Sequence, residues 1–120
     1  MDCNVCQSID LEEWGQQLSA PLKGGRYPLS ANLELTNRCN ANCVHCYINE
    51  AANDEAVRRR ELSTPEVKNI IDQMVDAGVL FLTLTGGEPL LRPDFVEIYT
   101  YARSKGLLVI LFTNGTMITE

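Results

Sequence analysis

The chain has 120 residues, which leaves room for one small domain, and 45% of them are hydrophobic, as in globular chains rather than disordered ones. Its net charge of −6 argues against nucleic acid as the main partner, because phosphate binding requires clustered Lys and Arg. No run approaches the ~20 apolar residues of a membrane-spanning helix, and the start of the chain lacks the pattern of a secretory signal. We therefore expect a cytoplasmic protein that does not enter a membrane.

Residues 1–29 are predicted to be a leader that precedes the domain. Asp10 is suited to cap a short helix, because apolar residues follow it at helical spacing. Pro and Gly residues after that helix predict a linker. Cys3 and Cys6 form a C-x2-C pair within the leader. We expect this pair to be unliganded, although a metal-binding or redox role stays open.

From residue 30 onwards, predicted strands alternate with predicted helices. The strand segments share apolar residues bounded by turn signals, and they are 31–36, 79–85 and 107–112. The first alternates apolar and polar residues, whereas the other two are nearly continuous apolar runs, which are typical of strands covered on both faces. Strands that alternate with helices predict an α/β fold with parallel βα units.

Two helices are predicted between these strands. Ser63 and Glu66 form a capping box that begins the first helix, and Gly78 ends it. Pro93 opens the second helix, and Gly106 closes it. A long polar loop is expected between the first strand and the first helix, from Asn37 to about Leu62.

Three cysteines crowd into eight residues of that loop. Cys39, Cys43 and Cys46 form a C-x3-C-x2-C run, and thiolates are the usual ligands of iron–sulfur clusters. Three thiolates from one loop would hold three irons of a cubane and leave the fourth iron open to a small molecule. A structural zinc site is the main alternative, and His45 or the leader's C-x2-C pair could complete it. The spacing favours the cluster and leaves zinc open.

A glycine-rich turn, Gly86-Gly87-Glu88-Pro89, ends the second predicted strand. Ligands of parallel α/β folds lie at the carboxyl ends of the strands, and glycine lets a ligand approach the backbone closely. Glu88 would then accept a hydrogen bond from a ligand ammonium group. Alone, the turn is better explained as an ordinary connection with an exposed Glu. The third strand also ends in a turn signal, Thr113-Asn114-Gly115, so all three ends are expected at one edge of the sheet.

Two segments together resemble a known family. "TNRCNANCVHCY" and "LTLTGGEPLLRPDF" are similar to the N-terminal half of the radical S-adenosylmethionine (radical SAM) enzyme core, and the resemblance covers about residues 30–120. The sequences of these two segments are most similar to those of family members that modify peptides or build peptide-derived cofactors, many of which also have a SPASM region. The resemblance implies that residues 30–120 form the first half of a partial TIM-like (β/α)6 barrel.

The resemblance also implies site residues and cofactors. Cys39, Cys43 and Cys46 would ligate a [4Fe–4S] cluster, and the amine and carboxylate of S-adenosylmethionine would chelate its fourth iron. The residues that would contact S-adenosylmethionine are His45, near the adenine, Gly86, Gly87 and Glu88, at the methionine amino group, and Asn114. Reductive cleavage would yield a 5′-deoxyadenosyl radical that abstracts a substrate hydrogen. A flavodoxin or ferredoxin would donate the electron, and a peptide is the implied substrate.

The family's later strands and its substrate domain have no counterpart in these 120 residues. We therefore expect a truncated chain, either a fragment or a split gene product, that binds iron and sulfide with little turnover. The strand 107–112 would lie at an open edge, so pairing with a missing half or self-association is expected. A zinc-binding module and a non-catalytic remnant remain the alternatives.

Overall fold

A computed structural model describes residue 12 and residues 25–48 and 50–119. The pair Cys3 and Cys6 and, apart from Glu12, the predicted leader helix lie outside the described residues. The elements in chain order are β1 (Ser30–Thr36), β2 (Arg38–Cys39), β3 (Glu50–Ala51), α1 (Glu55–Arg58), α2 (Thr64–Asp76), β4 (Phe81–Gly86), a 3-10 turn (Pro89–Leu91), α3 (Phe95–Ser104) and β5 (Leu108–Leu111).

The main sheet has the order β1-β4-β5, and both strand pairs are parallel. This arrangement confirms the predicted α/β fold with parallel strands. The segment from Asn37 to Leu62 was predicted as a loop without regular structure. It contains a small parallel ladder, formed by β2 and β3, and the short helix α1. The Asp54 carboxylate caps α1 by accepting from the N–H groups of Ala56 and Val57.

The helix starts and stops follow the sequence signals. The backbone N–H of Ser63 donates to the Glu66 carboxylate at 2.8 Å, as a capping box requires. Gly78 and Gly106 follow the two long helices with φ of 98° and 85°, a region that favours glycine. The second helix begins at Phe95 rather than at Pro93, because a 3-10 turn and Asp94 precede it.

The core lies between one face of the sheet and the helices α2 and α3. Its fully buried members come from all of these elements and include Leu82, Leu84, Ile71 and Ile98. Within the described residues, the apolar strands are covered by helices on one face only. Phe81 is 37% exposed and Leu108 is 47% exposed, and their side chains lie on the other face. Right-handed crossovers that advance in one direction across a sheet put successive helices on the same side of it.

None of the helices in the described part of the chain combines the length and apolar character needed to cross a membrane.

Candidate functional site

The carboxyl ends of the three parallel strands lie at one edge of the sheet, as the sequence predicts. The end of β1 leads into the cysteine loop through a register irregularity between Glu34 and Thr36. The end of β4 leads into the glycine-rich turn at Gly86, and β5 leads into Thr113 and Asn114. Parallel pairing therefore brings together segments that are far apart in the sequence.

The three cysteines of the loop are free thiols. Cys39 and Cys46 are half-buried, and Cys43 is exposed. The N–H of Cys46 donates to the carbonyl of Cys43 at 3.0 Å, which makes the second half of the motif a tight turn. The N–H of Ala41 donates to Cys39 Sγ at 3.4 Å, and Cys46 Sγ donates to the carbonyl of Ile48 at 3.0 Å. Two of the three sulfurs thus already have polar partners in the backbone.

The donor set matches the ligands of an iron–sulfur cluster. Within residues 25–48 and 50–119, no three Cys, His, Asp or Glu side chains converge closely enough to hold one metal ion. Thiolates ligate both iron–sulfur clusters and zinc, so the residue types alone fit either group. His45 is exposed beside the last cysteine, so the structure places it at the loop surface.

A buried ion pair anchors the base of the cysteine loop. Arg38 Nε donates to the Glu61 carboxylate at 2.7 Å, and another guanidinium nitrogen donates to the Ala52 carbonyl at 2.9 Å. The hydroxyl of Thr36 also donates to Glu61. Burial alone would raise the pKa of Glu61, but these hydrogen bonds outweigh it and hold the pKa below its ordinary value. The sequence analysis missed this anchor, although Arg38 directly precedes the first cysteine.

The glycines of the turn pack against the start of the cysteine loop. The N–H of Gly87 donates to the Thr36 carbonyl at 2.7 Å, and the N–H of Glu88 donates to the Arg38 carbonyl at 2.9 Å. A Cβ on Gly86 would lie 2.2 Å from the Thr36 oxygen, and one on Gly87 would lie 2.3 Å from the Arg38 oxygen. Both positions therefore require glycine because the backbone of the cysteine loop lies so close, whether or not a ligand also approaches there.

Glu88 is fully buried, so the alternative of an exposed glutamate in an ordinary turn was wrong. Its carboxylate accepts from the N–H of Leu90 at 3.0 Å and from the N–H of Asn114 at 2.8 Å. The hydroxyl of Thr113 lies 2.9 Å from both carboxylate oxygens. Glu88 thereby joins the ends of β4 and β5, and its predicted contact with a ligand ammonium group stays a prediction.

The side chain of Asn114 points to the cysteine loop. Its Nδ2 donates to Asn40 Oδ1 at 2.8 Å and lies 3.9 Å from Cys39 Sγ. Its predicted contact with S-adenosylmethionine is not tested by these distances. An open cleft of about 390 Å³ lies next to it, lined by residues 85–87 and 111–114 at the ends of β4 and β5.

These features define the class of protein: a parallel α/β protein with three free thiols and a glycine-rich turn at the carboxyl edge of its sheet. The family described as the radical SAM superfamily matches residues 33–120. The chain belongs to the radical SAM superfamily, which confirms the family resemblance and the prediction of an enzyme family.

Similar proteins carry several different names. The chain is 49% identical over 86 residues to the AdoMet-dependent heme synthase of Methanosarcina barkeri, covering 72% of this chain and 24% of that protein. It is 40% identical over 92 residues to the mycofactocin maturase MftC of Mycobacterium tuberculosis, covering 77% and 22%. It is 40% identical over 93 residues to the antilisterial bacteriocin subtilosin biosynthesis protein AlbA of Bacillus subtilis, covering 78% and 20%. The chain thus spans a quarter or less of the length of these relatives.

Proposed function

We propose that residues 30–120 are the first half of a radical SAM barrel that holds a [4Fe–4S] cluster and S-adenosylmethionine at the carboxyl edge of its sheet. One observation supports this proposal above the others. The N–H of Glu88 donates to the carbonyl of Arg38 at 2.9 Å, so the glycine-rich turn lies against the residue that precedes Cys39. A cluster held by the cysteine loop would therefore have the turn beside it.

Cys39, Cys43 and Cys46 are the proposed cluster ligands, and they leave one iron for S-adenosylmethionine. The proposed contacts to S-adenosylmethionine come from His45, Gly86, Gly87, Glu88 and Asn114. The cleft between the ends of β4 and β5 supports this assignment because backbone of Gly86 and Gly87 lines it. The buried pair of Arg38 and Glu61 would keep the loop in place when the cluster is absent.

When bound, the cluster and S-adenosylmethionine supply a one-electron cleavage that yields the 5′-deoxyadenosyl radical. The residues of this chain bind and orient the two groups, and the buried Glu88 fixes the turn against the end of β5. We propose that the radical abstracts a hydrogen during peptide or cofactor modification, with a flavodoxin or ferredoxin as the electron donor. Relatives named for mycofactocin and for the bacteriocin subtilosin support that substrate class.

Anaerobic reconstitution with iron and sulfide tests the ligand assignment. We expect about four irons and four sulfides per chain and a broad brown absorption that fades on reduction. Cys39→Ser, Cys43→Ser and Cys46→Ser should each lose most of the iron, and S-adenosylmethionine should change the electron paramagnetic resonance spectrum of the reduced wild-type protein. Stoichiometric zinc without iron would contradict the proposal.

The leader's cysteines provide a matched control. The double variant Cys3→Ser/Cys6→Ser removes two thiols of the same type but leaves the C-x3-C-x2-C run complete. We expect it to retain iron and sulfide at the wild-type level. Loss of iron from this variant would show that the leader supplies ligands and that the three-cysteine assignment is wrong.

A further inference from the structure

Three polar side chains form a closed ring at the surface of the site. Asn114 Nδ2 donates to Asn40 Oδ1 at 2.8 Å, and Asn40 Nδ2 donates to Thr116 Oγ1 at 2.9 Å. Thr116 Oγ1 in turn donates to Asn114 Oδ1 at 2.7 Å. Each side chain is therefore both a donor and an acceptor. The ring joins the residue after Cys39 to the turn that follows β5, across more than 70 positions of sequence.

The ring fixes which end of the Asn114 amide points to the cysteine loop. Asn114 Oδ1 also accepts from the backbone N–H of Thr116 at 3.0 Å, so it belongs to its own turn. Nδ2 is left to face Asn40 and Cys39, and it carries two protons. One proton serves Asn40 Oδ1, and the other lies on the side of Cys39 Sγ, 3.9 Å away. If both amides were flipped, they could still bond to each other, but Asn114 Nδ2 would then lie against the backbone N–H of Thr116, a donor against a donor, and this disfavours the reverse orientation.

We infer that Asn40, Asn114 and Thr116 form a latch that holds the cysteine loop against the β5 turn and directs the Asn114 amide to the Cys39 sulfur. Asn114 thus has a positioning role that is exerted through Cys39, in addition to its proposed contact with S-adenosylmethionine. The second half of this inference rests on the proposed function, since the sulfur would be a cluster thiolate. An N–H group donating to a cluster sulfur stabilises the more negative, reduced form, and therefore raises the reduction potential.

The latch is tested first in the cluster-free chain, by the rate at which a bulky maleimide labels each cysteine. Asn40→Ala and Asn114→Ser should each speed the labelling of the half-buried Cys39 about fivefold, the factor expected for one lost net hydrogen bond. Cys43 is already exposed and serves as the internal control, because its rate should not change. Rates are compared with those of the urea-unfolded chain. An unchanged Cys39 rate in both variants would overturn the latch.

The effect on the cluster is tested by redox titration of the reconstituted protein. Asn114→Ser removes the donor without adding charge, and its potential should be more negative than that of the wild type. Asn114→Asp and Asn40→Asp form a matched pair: both add a negative charge, but only the first removes the Nδ2 donor. We expect the larger negative shift in Asn114→Asp. Equal shifts in the pair, or no shift in Asn114→Ser, would overturn the role of the amide.

Failure of the proposed function gives a different result. A wild-type protein that takes up no iron and sulfide would refute the cluster and, with it, the N–H···S contact to a cluster thiolate. The labelling rates of Cys39 would still decide whether the latch exists, because they need no cluster.

Discussion

The hydroxyl of Thr113 lies 2.9 Å from both oxygens of the Glu88 carboxylate, which has no exposed surface. A buried carboxylate requires such partners, because leaving it without hydrogen bonds is costly. Two further bonds come from the N–H groups of Leu90 and Asn114. Glu88 thus connects the turn after β4 to the turn after β5, and the edge that carries the candidate site depends on it.

Thr113→Val should lower the free energy of unfolding by about 1–3 kcal/mol, because the hydroxyl is replaced by a methyl group of similar size beside a buried carboxylate. Urea unfolding followed by circular dichroism measures this change. Thr113→Ser is the control, since it keeps the hydroxyl, and its cost should stay below about 1 kcal/mol. A valine variant as stable as the serine variant would show that the hydroxyl contributes nothing.

Gly87→Ala should disrupt the edge more than Gly106→Ala does. The new Cβ would lie 2.3 Å from the Arg38 carbonyl oxygen, and that backbone is tied to the turn by hydrogen bonds. We expect a cost of at least about 2 kcal/mol and a loss of iron binding, since overpacking forces the backbone to shift.

Gly106→Ala is the matched control for that substitution. Gly106 has a φ of 85° but no atom within 4 Å of a new Cβ, so only the left-handed conformation opposes alanine there. The expected cost is about 1 kcal/mol, with iron binding intact. The clash at Gly87 would be refuted if both variants lost the same stability and bound the same iron.

Local patterns in the sequence were enough to predict the parallel sheet and the thiol-bearing loop. The alternation of Leu33 and Leu35, the capping box at Ser63 and the spacing of the cysteines all act within one turn or one strand. The burial of β4 shows how far a local pattern reaches. Residues 82–85 alternate Leu and Thr, and the two leucines of this segment are the fully buried residues. The apolar residues before them do not alternate, so no local pattern indicates that Phe81 is 37% exposed.

The contacts that complete the candidate site join residues without a local pattern. Arg38 and Glu61 are 23 positions apart, and Asn40 and Asn114 are 74 positions apart. These separations are much longer than the spacing of neighbours within one helix or strand, so only the folded chain brings the two residues of each pair together. Glu88 shows the same limit, because a glutamate in a glycine-rich turn gives no sign that it will be buried and hydrogen-bonded to Thr113.

Glu61→Gln should lower the free energy of unfolding and reduce the ability of the cysteine loop to retain iron. The side chains of Arg38 and Glu61 are only 8% and 12% exposed, so the variant leaves a buried guanidinium without its counter-ion. Breaking one partner of a buried pair costs about 3–5 kcal/mol. We expect a loss of this order in urea unfolding, together with weaker retention of iron against a chelator.

Glu55→Gln is the control for that change. The pair of Glu55 and Arg58 is exposed at the surface of α1, where ion pairs contribute about 0–1 kcal/mol. The variant removes the same charge at a nearby position and should retain iron as the wild type does. Equal effects of Glu61→Gln and Glu55→Gln would contradict a specific anchoring role for the buried pair.

The Asp94 carboxylate should make the fold sensitive to acid. Hydrogen bonds from Arg92, at 2.9 Å and 2.7 Å, outweigh burial and lower the pKa of Asp94 from 3.8 to about 2. A carboxyl group whose pKa is lower in the folded state stabilises the fold above its unfolded pKa. This contribution, about 2 kcal/mol, is therefore present above about pH 4 and is lost as the pH falls towards 2.

Asp94→Asn removes the titrating group and tests this assignment. The variant should be less stable than the wild type at pH 7, because Arg92 is buried and would lose its counter-ion. Between pH 4 and pH 2 the wild type should lose stability more steeply, so the difference between the two proteins should narrow. Glu61 contributes to the acid slope of both proteins, since its pKa is also lowered. A constant difference from pH 7 to pH 2 would show that the protonation of Asp94 is not linked to folding.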